Sequence, residues 1–258
     1  MSDLIETGVR NGVLTLQFNR PQKKNAITRP MYTALADAMA AGEATDDVGA
    51  HLFLGAPGTF TAGNDLADFL ARDGHPSPDA PVQAFLEAVV GARKPLIAAV
   101  DGLAIGIGTT LLLHCDLVYA SPAAKLSTPF IDLGLVPEAA SSLLLPERCG
   151  HAVAFELLCL GATFGAERAL RAGLVNEIVA ADRLEAHATD AAERLARKPR
   201  RALMLSRGLL RGDGKRVRTR MREEFAHFSE RLQSAEAREA FAAFLEKRPP
   251  VFKKPAAS

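Results

Sequence analysis

The stretch KPLIAAVDGLAIGIGTTLLLHCDLVYAS, residues 94–121, restricts the folds open to this chain more than any other. Leu96–Val100 is an apolar run of strand length, bounded by Lys94-Pro95 and Asp101-Gly102. Gly102, Gly106 and Gly108 follow, then an apolar helix expected to begin near Gly106, and a second strand closes the unit. Without a Cβ, glycine lets the main chain approach a neighbour closely. The first N–H groups of a helix have no partner inside it and suit an anionic oxygen. Tight packing of a turn calls for the same glycines. A second segment with the same offer, FTAGNDL at residues 60–66, tips the reading towards a ligand.

At 258 residues the chain is long enough for one large domain, or a domain with a helical appendage. With 31 basic and 30 acidic residues it has no bulk attraction for nucleic acid or an anionic membrane surface. Cys115, Cys149 and Cys159 lack paired or metal-ligand spacing and read as reduced core thiols. The first six residues carry neither a basic nor an apolar leader region. Glycine and proline break the longest apolar stretches, which argues against a membrane span, and PAAS at the end is not a peroxisomal address. The expected compartment is cytoplasmic.

Strands and helices alternate in the first half. Val13–Phe18 alternates apolar and polar residues and is expected to pair with residues 4–9 across Arg10-Asn11-Gly12. Thr28 is placed to cap a helix over 30–41, with Pro30 in its first turn. Residues 51–55 read as a strand, 65–71 and 81–92 as helices, and 72–80 (RDGHPSPDA) as a loop. Helices are expected over 138–145, 152–160 and 166–172, and a strand over 174–179. Four helices follow, over 184–197, 199–210, 215–233 and 235–247. The division is an α/β core, 1–197, and a helical region, 198–258. Residues 197–222 hold eleven Lys or Arg against one acid, Asp213. Lacking interleaved aromatics and any binding motif, this run reads as a solvated helix face rather than a nucleic-acid patch, with long-range attraction of a polyanion as a further use.

Four segments in this order, NRPQKKNAIT (19–28), FTAGNDL (60–66), residues 94–121 and GATFGAERALRAGLV (161–175), resemble the crotonase (enoyl-CoA hydratase/isomerase) superfamily across nearly the whole chain. The resemblance implies an α/β fold, a spiral of strand–strand–helix turns, with C-terminal helices that assemble a homotrimer or a dimer of trimers. It implies an acyl-CoA thioester as substrate, with CoA part of that substrate and no separate cofactor or metal. The backbone N–H groups of Asn64 and Ile107 take the family's oxyanion-hole positions. Lys23, Lys24, Ala26, Ala62, Asp65 and Leu66 match the adenine and pantetheine path. Lys247 and Phe252, in EKRPPVF, resemble a tail that reaches the nucleotide site, often in a neighbouring subunit.

The two glutamates of the family's hydratases fall at Thr110 and Phe130, neither of which transfers protons in such chemistry. One carboxylate stands nearby: Glu138 in LVPEAASS, after Pro137 at an expected helix start. Apolar neighbours would raise its pKa, and a helix N-terminus would oppose the shift. STPFIDLGLVPEAASS (127–142) resembles the monofunctional Δ3,Δ2-enoyl-CoA isomerases, whose single glutamate falls at this Pro-Glu position. That resemblance implies a double-bond shift with Glu138 as acid and base. Asp132 is a second candidate base, and a hydratase or a non-catalytic acyl-CoA-binding chain are the alternatives. Asp101 and Asp116 are expected to satisfy backbone donors, a use open to Asp65 as well, and His114 to be a core or interface residue.

Overall fold

The computed structural model describes residues 4–70 and 80–252. Most of the expected loop over 72–80 lies outside them. A hairpin opens the fold: β1 (Ile5–Arg10) and β2 (Val13–Phe18) are antiparallel, turned by Asn11 and Gly12 at φ 51° and 79°. Thr28 precedes α1 (Arg29–Ala44), with Pro30 where a missing N–H is harmless. Next come β3 (Ala50–Leu54), β4 (Thr59–Thr61), α2 (Leu66–Leu70) and α3 (Ala80–Gly91). The glycine-rich unit supplies β5 (Leu96–Val100), β6 (Leu103–Ile105), α4 (Ile107–Thr110) and β7 (Leu117–Ala120), with a 3₁₀ turn over Leu111–His114. β8 (Lys125–Ser127), α5 (Ser141–Cys149), α6 (His151–Leu158), β9 (Phe164–Gly165), α7 (Ala166–Arg171) and β10 (Glu177–Ile178) follow. The chain then continues through α8 (Ala181–Ala196), α9 (Arg200–Arg211), α10 (Lys215–Arg231) and α11 (Ala235–Leu245).

Among the described residues ten strands form two mixed sheets, ordered β1-β2-β3-β5-β7-β10 and β4-β6-β8-β9. In the first, only β1 and β2 are antiparallel; in the second, only β8 and β9. The central strands β3 and β5 are buried throughout, so each face of the larger sheet needs its own cover. On one face Leu52, Leu54, Ile97 and Ala99 pack with Leu184, Ala188 and Ala192 of α8. On the other, Phe53 and Ala98 join Tyr32, Leu35 and Met39 of α1 and Phe85 and Val89 of α3. The period-two alternation of side chains along a strand makes this division.

Two expectations change. Residues 139 and 140 adopt left-handed conformations, φ 56° and 57°, so the helix expected from 138 starts at Ser141 and Glu138 sits on the loop before it. The strand expected over 174–179 shortens to Glu177–Ile178 beside β7, while Leu174 and Val175 turn into the core after Gly173. Among the described residues no helix is long and apolar enough to cross a membrane.

Phe53 is fully buried and meets the Phe85 ring edge-on at 6.4 Å. Phe53→Ala is expected to cost about 3–5 kcal/mol, read as a lower midpoint in urea unfolding.

Candidate active site

β4 leads into the turn that carries Asn64. Asn25 is fully buried and ties the loop before α1 to this strand: its Nδ2 donates to the Thr59 and Phe60 carbonyls at 2.9 and 3.1 Å. Ile27 N donates to Gly63 O at 2.8 Å and Asp65 N to Ile27 O at 2.9 Å. In this parallel bridge the Asn64 N–H faces away from Ile27. Gly63 has φ +88°, and a Cβ on it would lie 2.7 Å from Ile105 O. The turn after β4 is therefore pressed against the turn after β6.

Gly106 forms that second turn with φ 56° and ψ −119°, a region essentially reserved for glycine. Its N–H donates to Ser127 O at 2.8 Å, and its carbonyl accepts from Thr109 and Thr110. Ile107 is the first residue of α4, so its N–H has no partner inside the helix. Among the described residues neither the Asn64 N–H nor the Ile107 N–H has an acceptor in the chain.

Two cavities flank these turns. The outer one, about 730 Å³, is lined by Lys23, Lys24, Ala26, Ala62, Asp65, Leu66, Ile107 and Phe252 among others. The inner one, about 200 Å³, is walled by Leu86, Met221 and Phe225 and contains Glu138. Asn64 and Phe228 line both and mark the junction.

Glu138 is half-buried, its carboxylate bordering the inner cavity. Thr110 Oγ1 donates to its Oε1 at 2.5 Å. Burial pushes the Glu138 pKa up to about 8; the Thr110 hydrogen bond opposes this and the nearby Glu224 charge adds to it. Thr110, which in the sequence marks only a missing glutamate, is the hydroxyl partner of the remaining one. Tyr32 OH donates to Asn64 Oδ1 at 2.5 Å. Burial, with the negative charges of Glu138 and Asp68, keeps that phenol protonated well above its usual range.

The other candidates lie elsewhere. Asp132 is exposed on a 3₁₀ turn at the outer cavity, its Oδ2 2.6 Å from where a Cβ on Gly161 would stand. Phe130 lines the outer cavity as an apolar wall. Asp65 borders the outer cavity but is paired with Arg20 at 2.6 Å. Burial favours its neutral form, yet Arg20 and the Asp68 N–H outweigh this and hold its pKa below the usual value. Lys247 faces neither cavity: it is exposed just beyond α11 in a left-handed conformation. Its neighbour Arg248 is engaged by Glu239 at 2.6 Å.

Asp101 accepts from Gly58 N at 2.6 Å and Asp116 from Leu96 N at 2.8 Å, the backbone-satisfying uses expected of them. His114 is buried and donates from Nε2 to Ala139 O at 2.8 Å. Burial, against that bond, lowers its pKa to about 4, so the ring is neutral. All three cysteines are free; Cys115 is buried, which pushes its thiol up to about 12, and the other two are partly exposed.

Tyr32, Glu224 and Phe228 escape a motif-based reading. Glu224 leaves a trace even so: it stands on the buried stripe of α10, three residues after Met221 and four before Phe228.

Known proteins share this architecture. The family profile described as Enoyl-CoA hydratase/isomerase matches residues 8–255. The crystal structure of an enoyl-CoA hydratase/isomerase from Pseudoalteromonas atlantica T6c superposes with a TM-score of 0.91 at 43% identity, covering 97% of this chain and 100% of that one. "Enoyl-CoA delta isomerase 2" of Rattus norvegicus is 34% identical over 244 residues, 92% of this chain and 62% of that protein, so the chain spans less than two thirds of that relative. "Probable enoyl-CoA hydratase" of Rhizobium meliloti (strain 1021) is 36% identical over 260 residues, 97% of each. The fold is the α/β crotonase fold, two mixed sheets with C-terminal helices.

The raised Glu138 pKa has a consequence for stability. In the folded protein it titrates near 8, against 4.5 as the ordinary value, so between these pH values the folded state holds the extra proton. Stability from this group is therefore intact at low pH and declines as pH rises through that window. Glu138→Gln is expected to raise the melting temperature over wild type more at pH 9 than at pH 5, read by calorimetry at both.

Proposed function

Because the chain belongs to the enoyl-CoA hydratase/isomerase family, with that family's activity on acyl-CoA, we propose that it moves the double bond of a 3-enoyl-CoA to the 2-position, with Glu138 as the only proton carrier. The observation that carries this reading is a single carboxylate of raised pKa on the inner cavity, beside the Asn64 junction, with Thr110 and Phe130 at the two hydratase positions. Adding water across a double bond calls for one group to activate water and another to protonate carbon. A 1,3-shift on one face needs only one group, which takes a proton and gives it back.

CoA lies along the outer cavity, with Lys23 and Lys24 as point charges for its phosphates and Leu66 and Phe252 as apolar wall. The thioester oxygen accepts from the Asn64 and Ile107 N–H groups, and the acyl chain enters the inner cavity past Phe228. Ionised Glu138 removes a proton from C2. The electron pair delocalises over C2, C3, C4 and the thioester oxygen as a dienolate. Prealigned donors meet the charge where it develops, each worth about 2.7–4 kcal/mol in the transition state. Protonated Glu138 then delivers its proton to C4, leaving the conjugated 2-enoyl thioester and a regenerated base.

Assembly through residues 198–258 into a homotrimer or a dimer of trimers is part of the proposal. Leu205, Leu209 and Leu210 of α9 are 61, 85 and 89% exposed in the single chain, an apolar row suited to cover by another subunit. Lys247 would then serve a nucleotide site only across a subunit boundary.

Glu138→Gln is expected to lower kcat on a 3-enoyl-CoA by about 10²–10⁴-fold and leave acyl-CoA binding by calorimetry nearly unchanged. Retained turnover would reject the role, and efficient hydration of crotonyl-CoA by wild type would favour a hydratase. The wild-type kcat/KM should rise with pH along an acid limb near 8, where Glu138 becomes the base. Ile107→Pro deletes one donor at a helix position that accepts proline, and should cost about 10²–10³ in kcat with the melting temperature as control.

A further inference from the structure

Glu224 stands out among the buried charges because it borders neither cavity and yet lies next to the reacting group. It is 5% exposed. Its carboxylate accepts three hydrogen bonds from the loop that carries Glu138: Ala140 N at 2.6 Å, Ser142 N at 2.9 Å and Ser142 Oγ at 2.5 Å. Ala139 and Ala140 are consecutive non-glycine residues in left-handed conformations, an arrangement that persists only when its surroundings hold it. His114 donates to Ala139 O, and Ser141 closes the loop locally through its N–H and Oγ to Glu138 O at 3.0 and 2.6 Å. Of these grips, the three made by Glu224 come from α10, far away in the chain.

We infer that Glu224 is a positioning residue for Glu138: by holding Ala140 and Ser142 it fixes the left-handed corner that presents the Glu138 carboxylate to the inner cavity. The inference rests on the reading of Glu138 as proton carrier. Three donors and no acceptor converge on the two Glu224 oxygens, so an amide in its place would set an NH₂ against a backbone N–H and lose part of the grip.

The same carboxylate also acts through its charge. The groups that act on Glu138 are Thr110 from α4 as a donor, Glu224 from α10 as a like charge, and the neutral Tyr32 phenol from α1. Arg222 and Glu87 border the same cavity, with Glu87 paired to Arg218 at 2.9 Å. Glu224 itself faces Ser142, Ala140 and Glu138; Arg220, one turn earlier, donates to Ser142 Oγ at 3.2 Å and pairs with Glu223 at 2.9 Å. Burial and Glu224 together favour the protonated form of Glu138. Removing the Glu224 charge therefore lowers the Glu138 pKa and moves the acid limb to lower pH.

The test compares wild type and Glu224→Gln, as full-length protein, in pH profiles of 3-enoyl-CoA isomerisation. The expected result is a fall in kcat of about tenfold, a KM within about twofold of wild type, and an acid limb displaced to lower pH. A folded Glu224→Gln protein with wild-type kcat and an unmoved limb overturns the inference, as does a loss of kcat with the limb in place, which a purely structural role would give. Should Gln prevent folding, Glu224→Asp keeps the charge on a shorter stem that cannot span both Ala140 and Ser142. It should lower kcat with the limb unmoved, and wild-type kcat there also overturns the inference. Glu138→Gln, assayed alongside, separates the two failures: activity retained in that variant removes the proton-carrier reading itself, whatever Glu224 does.

Discussion

A Cβ on Gly63 would stand 2.7 Å from the Ile105 carbonyl oxygen, which measures how tightly the end of β4 is pressed onto the turn leading into α4. Neither turn could approach the other with an ordinary residue at that position. The contact sets the turn that leads to Asn64 against the turn that leads to Ile107, two residues whose N–H groups have no acceptor among the described residues. Asn25, buried beneath β4, keeps the strand in place through two carbonyls, and the Gly106 N–H anchors the other turn to β8. In the proposed reaction, donors fixed in this way need no reorganisation when charge develops on the thioester oxygen, unlike donors recruited from water.

Burial and donors compete around each carboxylate, and at Glu224 burial wins in spite of three donors and leaves its pKa raised. Glu43 is also partly buried, which raises its pKa, but hydrogen bonds from His51, Lys94 N and Arg93 N outweigh burial and hold it near 2. Asp65 follows the same rule with Arg20. Glu138 has one hydroxyl, from Thr110, and a neighbouring negative charge, so burial wins. A carboxylate with so few partners destabilises its ionised form, and that is what leaves its proton exchangeable near neutral pH.

Long elements were legible because their periodicity repeats. The alternation in Val13–Phe18 and the apolar runs at 51–55 and Leu96–Val100 foretell the larger sheet. The smaller sheet is built from strands of two or three residues, too short to display a period, so it stayed hidden. The error at 138–140 has a different origin. Alanine is the strongest helix former, and Ala139-Ala140 after Pro137 invites a helix; the left-handed corner is held by Glu224, 84 residues from Ala140. Local propensity carries no record of such a contact. Asn64, Ile107 and Glu138 stand at motif positions, whereas Leu86, Met221, Tyr32 and Phe228 belong to helices whose inward faces look like ordinary core.

The far end of the segment that starts at Ile107 has its own anchoring. Its last carbonyls, on Leu112, Leu113 and His114, accept from the guanidinium groups of Arg148, an exposed residue, and Arg211, a half-buried one. Cations at a helical C-terminus reinforce the field that its N-terminus presents. Removing either cation would therefore weaken the field at the Ile107 amide from the far end of the segment, without touching the amide itself.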